Sequence, residues 1–251
     1  MNNRTLRISD SRRWIETMSE ASEKVIGIEH LPIFPLPLVL MPFELLPLHI
    51  FEPRYRQMLK DIELRRNLFG ISLFEPESEA EERPTPGTVG CVAEVRQTQA
   101  MPDERSNILT FGLIRYRLLE YLDIGNPYFS ASVEFFEDEP ESNEVLEPIA
   151  DQVFSLFERV AKAAFKLSGN RGRFPEVPRA DPEQLSFLVA AAFNLDNEVK
   201  TQFIRMTSTS ERLEKLRAIL DQAVSQMESN ADLFSVAQKN GHSTKPIDLG
   251  E

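Results

Sequence analysis

The stretch LPIFPLPLVLMPFELLPLHIFEPRYRQML, Leu31 to Leu59, decides how this chain is read. Between Leu31 and Phe51, five prolines (Pro32, Pro35, Pro37, Pro42 and Pro47) separate short apolar runs. Proline removes a backbone donor and its ring clashes with the preceding helical turn, so strand or extended loop is left. At Phe51 the pattern changes. Glu52 and Pro53 form a helix start, because proline is tolerated at the first helical position, and Tyr55, Leu59 and Ile62 then recur at helical spacing. A short helix over about residues 52–66 is expected.

Downstream, FGISLF (Phe69 to Phe74) reads as a buried strand, followed by an acidic loop with Glu75, Glu77, Glu79, Glu81 and Glu82. Four segments rich in β-branched and aromatic residues follow: 88–97, 107–114, 115–124 and 128–136. Residues 28–138 therefore read as a β-rich subdomain of about six strands, expected to close as a barrel and so remove exposed edges. After the polar hinge EDEPESN (Glu137 to Asn143) the apolar period switches from two to about three and a half. Residues 143–228 read as a helical subdomain. Val145 to Leu167 mark one long helix, and Leu185 to Phe193 a second, started by Asp181 and Pro182. Val199 and Phe203 mark a third, and Leu213 to Met227 a fourth, with Ser208 and Glu211 at capping-box spacing. Residues 1–27 read as a polar tail around an amphipathic turn at Trp14 and Ile15, and 229–251 as a frayed tail.

The chain has 251 residues, with 28 Lys plus Arg against 40 Asp plus Glu, a net charge of −12. A phosphate backbone would on average be repelled, which disfavours nucleic acid as a partner. The single cysteine, Cys91, leaves no intramolecular disulfide and no multi-cysteine zinc site, which fits a reducing compartment. Cytoplasmic localisation is expected. Arg4, Arg7, Arg12 and Arg13 hint at organelle import, but Asp10, Glu16 and Glu20 interrupt that pattern. No apolar run approaches the roughly 18 residues of a membrane-spanning helix. Gly-Lys never occurs, so no Walker-type phosphate cradle is present, and His30, His49 and His242 lack the spacing of paired metal ligands. No Gly-x-Ser-x-Gly elbow appears. Cys91, after Gly90 in an apolar strand, reads as a packing group, and His49 as a core or rim histidine with a satisfied hydrogen bond. Lys162, Lys166, Arg171, Arg173 and Arg179 form the one notable basic cluster. It complements a helix C-terminus or attracts an acidic partner segment.

The block Pro-Leu-His-Ile-Phe-Glu-Pro-Arg-Tyr, preceded by Leu-Pro-x-Phe-Pro-Leu, closely resembles the N-terminal domain of the Lon protease family. Further matches follow in the family's order: Phe69-Gly70, Gly87-Thr88-Val89-Gly90, then Asn107-Ile108-Leu109 with Gly112 and Arg115. The segments DPEQLSFLVAAAFNLDNEVKTQFI and ERLEKLRAIL look like that domain's helical extension, so the resemblance covers about Ile28 to Leu220. It implies an α+β fold, a PUA-like β-barrel subdomain followed by a C-terminal helical bundle. It also implies polypeptide binding without catalysis, because the ATPase and Ser-Lys peptidase of full-length Lon lie downstream of this domain. The expected role is an adaptor or accessory factor in protein quality control, with no cofactor or metal. Its expected partners are unfolded or client polypeptides and a protease or chaperone complex; the oligomeric state stays open.

Leu31, Pro32, Phe34, Pro35, Leu36, Leu48, Ile50 and Phe51 are expected to build the barrel wall and the turn into the helix. Arg54 and Tyr55 are candidate contact residues, since a planar donor fork and an amphipathic ring are common in interfaces; Arg54 pairing with a carboxylate and Tyr55 facing the core are the plainer readings. Arg171 and Arg173 are candidate contacts for acidic segments. An RNA-binding PUA-like module is the alternative, set against the acidity and the lack of a basic stripe.

Overall fold

The structure is a computed structural model that describes residues 19–76, 83–167 and 174–240, with the side chains of 166–167 and 228–240 left outside the description. Trp14, Ile15, the Glu77–Glu82 part of the acidic loop, Arg171 and Arg173 all lie outside the described residues.

The described residues hold six strands and six α-helices, with one 3-10 turn at Pro102–Glu104. In order they are α1 (Glu20–Val25), β1 (Leu31–Leu36), β2 (Leu45–Ile50), α2 (Pro53–Glu63), β3 (Leu68–Leu73) and β4 (Val89–Ala100). Next come β5 (Ser106–Leu122), β6 (Phe129–Phe136), α3 (Asn143–Leu167), α4 (Pro182–Ala192), α5 (Asn197–Arg205) and α6 (Thr209–Asn240). The fold class is mixed α+β, as expected. Two compact units divide the chain: Met1–Asp138 with Ala190–Thr207, and Glu139–Val189 with Ser208–Glu251.

The first unit is built on one sheet, in the order β2-β5-β4-β3-β1-β6, with β6 pairing back onto β5. That last pairing closes a five-stranded ring, β5-β4-β3-β1-β6, and leaves β2 attached outside it on the first half of β5. β1 and β3 run parallel and every other pair is antiparallel. The sequence reading divides residues 107–124 into two strands at Arg115; the structure has one continuous 17-residue strand. Nothing between Ile114 and Arg115 is a turn former, and β5 changes partners along its length instead of breaking. Register shifts at Cys91/Ala93, Val95/Gln97 and Leu118/Glu120 provide the bends that closure needs. The proline-rich stretch holds two strands, β1 and β2, so the total of six stands.

Leu31, Ile33, Val92, Ile114, Tyr116, Leu118 and Ala131 belong to one buried cluster. Tyr116 explains two glycines of the motif. A Cβ at Gly70 or Gly90 would lie 2.6 Å from its hydroxyl oxygen, which is paired with Ser72 Oγ at 2.6 Å. Helix α2 buries Tyr55, Met58 and Ile62, a single face at helical spacing, with the Tyr55 ring 4.1 Å from Phe34. It ends at Glu63, three residues before the expected 66. Asn67 takes a left-handed φ of 58°, which an asparagine tolerates, and its N–H closes on the Ile62 carbonyl at 3.0 Å.

The second unit is helical. Ala150 and Val153 on α3 and Leu213, Leu216 and Leu220 on α6 are buried, and these two helices pack together. Arg212 on α6 is fully buried, its guanidinium 3.8 Å from the Phe187 ring and its Nε donating to Ser186 Oγ at 2.7 Å. Asp181 caps α4 through the Gln184 N–H, at 3.0 Å, as its sequence position suggests. Helix α6 continues to Asn240, past the point where the apolar stripe fades, because neither Gly nor Pro occurs between Ser229 and Asn240.

Candidate functional site

Among the described strands, β2 is the one that the ring does not enclose. On one side it pairs with β5, residue for residue from Leu45↔Phe111 to Ile50↔Ser106, and on the other it ends the sheet. The Gly112 N–H donates to the Glu44 carbonyl at 2.9 Å, and Thr110 Oγ1 donates to the Leu46 carbonyl at 2.8 Å, so the even-numbered residues turn their backbone groups toward β5. Antiparallel ladders alternate, which leaves the backbone groups of Leu45, Pro47 and His49 on the free edge. Pro47 offers a carbonyl alone; Leu45 and His49 each offer a donor and an acceptor.

The side chains alternate as well. Leu45, Pro47 and His49 are exposed, and Phe51, the next residue in that series, is 58% exposed, equal to Leu45. Phe51 lies in the turn between β2 and α2, and its side chain stays outside because Ile50 takes the inward position. Leu31, Pro32, Phe34 and Ile50 are buried as expected, whereas Pro35, Leu36 and Leu48 are half-buried. Across the ladder, Phe111 stands opposite Leu45 and Leu109 opposite Pro47, both half-buried, so the outward face is an apolar patch.

The turn before β2 extends this patch. Phe43 is held at a left-handed φ of 66°, its N–H donates to the Gly112 carbonyl at 2.7 Å, and its ring meets Phe111 edge-on at 6.3 Å. Glu44 folds back to accept the Met41 N–H at 2.9 Å; burial raises its carboxyl pKa, only partly offset by that hydrogen bond and by Lys200. The approach of the turn to β5 requires glycine at 112, where a Cβ would lie 2.0 Å from the Met41 carbonyl oxygen. A bulky non-glycine residue in left-handed backbone is strained, and here the strain sits beside an exposed apolar face.

At the other end of β2, the His49 ring stacks on Phe51 at 5.9 Å, and its Nδ1 lies 2.7 Å from Asn107 Oδ1, which requires the proton on Nδ1. Arg54 follows on α2. Its Nε and Nη2 both reach Glu52 Oε2 at 2.9 Å, and its guanidinium lies 4.6 Å from the Tyr55 ring. Tyr55 is 3% exposed, and burial raises its phenol pKa. Arg54 is therefore a surface group, three residues after Phe51 in sequence, and Tyr55 is the buried platform beneath it.

Leu45, Phe43, Leu109 and Phe111 escaped the sequence reading. Reading Leu45 to Phe51 at period two was the available signal. Other candidates resolve plainly. Cys91 is fully buried, and burial drives its thiol pKa up, so it is not a nucleophile at neutral pH. Among the described residues no group of His, Cys, Asp and Glu could hold a metal ion, and no helix is long and apolar enough to cross a membrane.

Comparison with known proteins agrees with this architecture. The family model of the ATP-dependent protease La (LON) substrate-binding domain matches residues 30–222. The Lon protease of Dictyoglomus thermophilum is 27% identical over 201 residues, covering 75% of this chain and 24% of that protein. Lon protease from Escherichia coli K12 is 31% identical over 157 residues, 61% of this chain and 18% of that protein. The chain thus spans about a quarter or less of the length of these curated relatives. A Lon N-terminal domain protein from Xanthomonas campestris has the same fold, with a TM-score of 0.57 at 21% identity, over 76% of this chain and 98% of that one. The N-terminal domain of a Mycobacterium avium complex Lon protease superposes with the same TM-score at 15% identity. With most of its length inside the matched region, the chain belongs to the Lon substrate-binding domain family.

Proposed function

We propose that this chain is a non-catalytic module that captures extended apolar segments of unfolded polypeptides on strand β2, serving as an adaptor or accessory factor in protein quality control. The observation that carries the reading is the coincidence, on one strand, of an open hydrogen-bonding edge and an exposed apolar face from Leu45 to Phe51. An added strand would gain main-chain hydrogen bonds from the edge and side-chain burial from the face. Exposed edges of this kind are normally blunted in proteins by charge or cover; β2 carries only Pro47 as a partial block. Family membership supports a substrate-recognition role in a proteolytic setting. Arg54, stacked on Tyr55, serves as a further contact residue, and Arg171 and Arg173 serve acidic segments of the same clients.

The RNA-binding alternative finds less support. Arg96, 4.9 Å from the Phe111 ring, is paired with Glu94, and Arg54 with Glu52, so the aromatic face carries no unneutralised basic stripe. The proposal is tested by fluorescence anisotropy with a reduced, alkylated and permanently unfolded protein, in the absence of nucleotide. Binding is expected, and Leu45→Glu with Phe51→Ser should weaken it about tenfold or more, ~1.4 kcal/mol. The melting temperature should stay nearly constant, because both side chains are exposed. Intact binding in that variant would place capture elsewhere.

A further inference from the structure

A concavity in the barrel unit, about 420 Å³, lies between the end of α2, residues 27–32 and Tyr128. Ile28, Leu31, Pro32, Ile62 and Leu68 give it apolar walls, and Asp61 and Arg65, four residues apart, stand along it. Glu29 and Arg66 line it too, and the charged groups are not equally satisfied. Both Asp61 oxygens already accept hydrogen bonds, Oδ2 from the Tyr128 hydroxyl and Oδ1 from Gln57, each at 2.8 Å. Arg65 has only the His30 ring, Nη1 to Nε2 at 3.2 Å, and among the described residues it pairs with no carboxylate. The neighbouring Arg66 is committed, donating to the carbonyls of Lys24 and Ile26 at 2.8 and 2.7 Å. In a chain of net charge −12, Arg65 is an exposed arginine on the cavity lining with no carboxylate partner among the described residues.

We propose that this cavity receives the C-terminal residue of a bound polypeptide, its α-carboxylate on the Arg65 guanidinium and its apolar side chain against Leu31, Pro32, Ile62 and Leu68. This rests on the reading of the chain as a polypeptide-binding module. The Arg65 fork matches a carboxylate, with charge-assisted hydrogen bonds stronger than those to His30. Asp61 retains lone pairs for the N–H of the same residue, a spacing that a simple fatty acid would leave unused. An N-terminal residue, its ammonium on Glu29 or Asp61, is the competing occupant that the N-acetylated peptide below tells apart. The volume lies toward the low end of the roughly 300–1,000 Å³ typical of small-ligand sites, enough for one side chain and its carboxylate.

The test uses fluorescent eight-residue peptides ending in leucine, as free acid, as C-terminal amide, and N-acetylated, against the full chain and its Arg65→Gln variant. Amidation should weaken binding about tenfold in the unaltered chain, N-acetylation should leave it unchanged, and Arg65→Gln should abolish the difference between acid and amide. Equal affinity of acid and amide overturns the proposal, as does an amide penalty that survives Arg65→Gln. Decanoate displacing the peptide from this cavity with equal or higher affinity would reassign it to small carboxylates. Failure of all peptides alongside binding of the permanently unfolded protein overturns the C-terminal site and leaves capture on β2 standing; failure of every polypeptide overturns both.

Discussion

Arg115 shows how a single residue can be prominent in the sequence and still be misplaced by it. Charged residues are rarely buried, so an arginine in a run of apolar residues reads as a break between strands. In the structure Arg115 is 2% exposed and pairs with Asp138, itself 4% exposed, at 2.5 Å. Its other nitrogen donates to the carbonyls of Ile204 and Met206, and its guanidinium lies 4.7 Å from the Phe136 ring. None of these partners is near in sequence, which is why the site was not legible from pattern alone. Removing one member of such a pair leaves the other buried and uncompensated. Arg115→Ala should cost about 3–5 kcal/mol in urea denaturation. Arg115→Ala with Asp138→Ala should cost clearly less than the sum of the single variants, a double-mutant cycle that reads out their coupling.

Individual elements were legible where their signals are local. The cap of α6 is an instance: Ser208 Oγ accepts the Glu211 N–H at 3.1 Å, as the spacing predicts. The reciprocal arm of the capping box is absent, because the Glu211 carboxylate turns to Lys215 at 3.2 Å. Glu141 supplies the second acceptor instead, taking the Ser210 N–H at 3.0 Å and the Ser208 hydroxyl at 3.1 Å. Only the fold brings this long-range partner to the helix start. Partial burial pushes the Glu141 pKa up, but the hydrogen bonds from Ser210, Ser208 and Thr209 together outweigh it and hold the group below the ordinary 4.5. A depressed carboxylate pKa contributes stability that is present above the unfolded value and lost as pH falls through the folded one. Denaturation midpoints followed from pH 7 downward should therefore show a decline below about pH 4.5 that is smaller in Glu141→Gln. Identical pH profiles would show that this carboxylate does not anchor α6. The face of β2 is equally local, but prolines show what a stretch cannot form and say nothing of which alternating residues stay outside the sheet.

At the scale of the molecule, the β-rich and helical halves could be read from the change of period near residue 140, and the Leu31–Leu59 block carried the family. Which helix belongs with which core could not. Residues 190–207, including α5, belong to the same compact unit as the strands, although their period matches that of the helices on either side. Amphipathic spacing shows that a helix has an apolar face; it contains no information about which surface covers that face. The central claim is that polypeptide capture takes place on the open edge and outer face of β2. Residue-resolved amide hydrogen exchange, with and without a saturating permanently unfolded polypeptide, tests it most directly, because free-edge donors exchange readily until another strand accepts from them. The account predicts new protection at the Leu45 and His49 amides, with little change at Leu46, Leu48 and Ile50, which already face β5. Saturated binding that leaves the Leu45 and His49 amides exchanging at their free rates would contradict it.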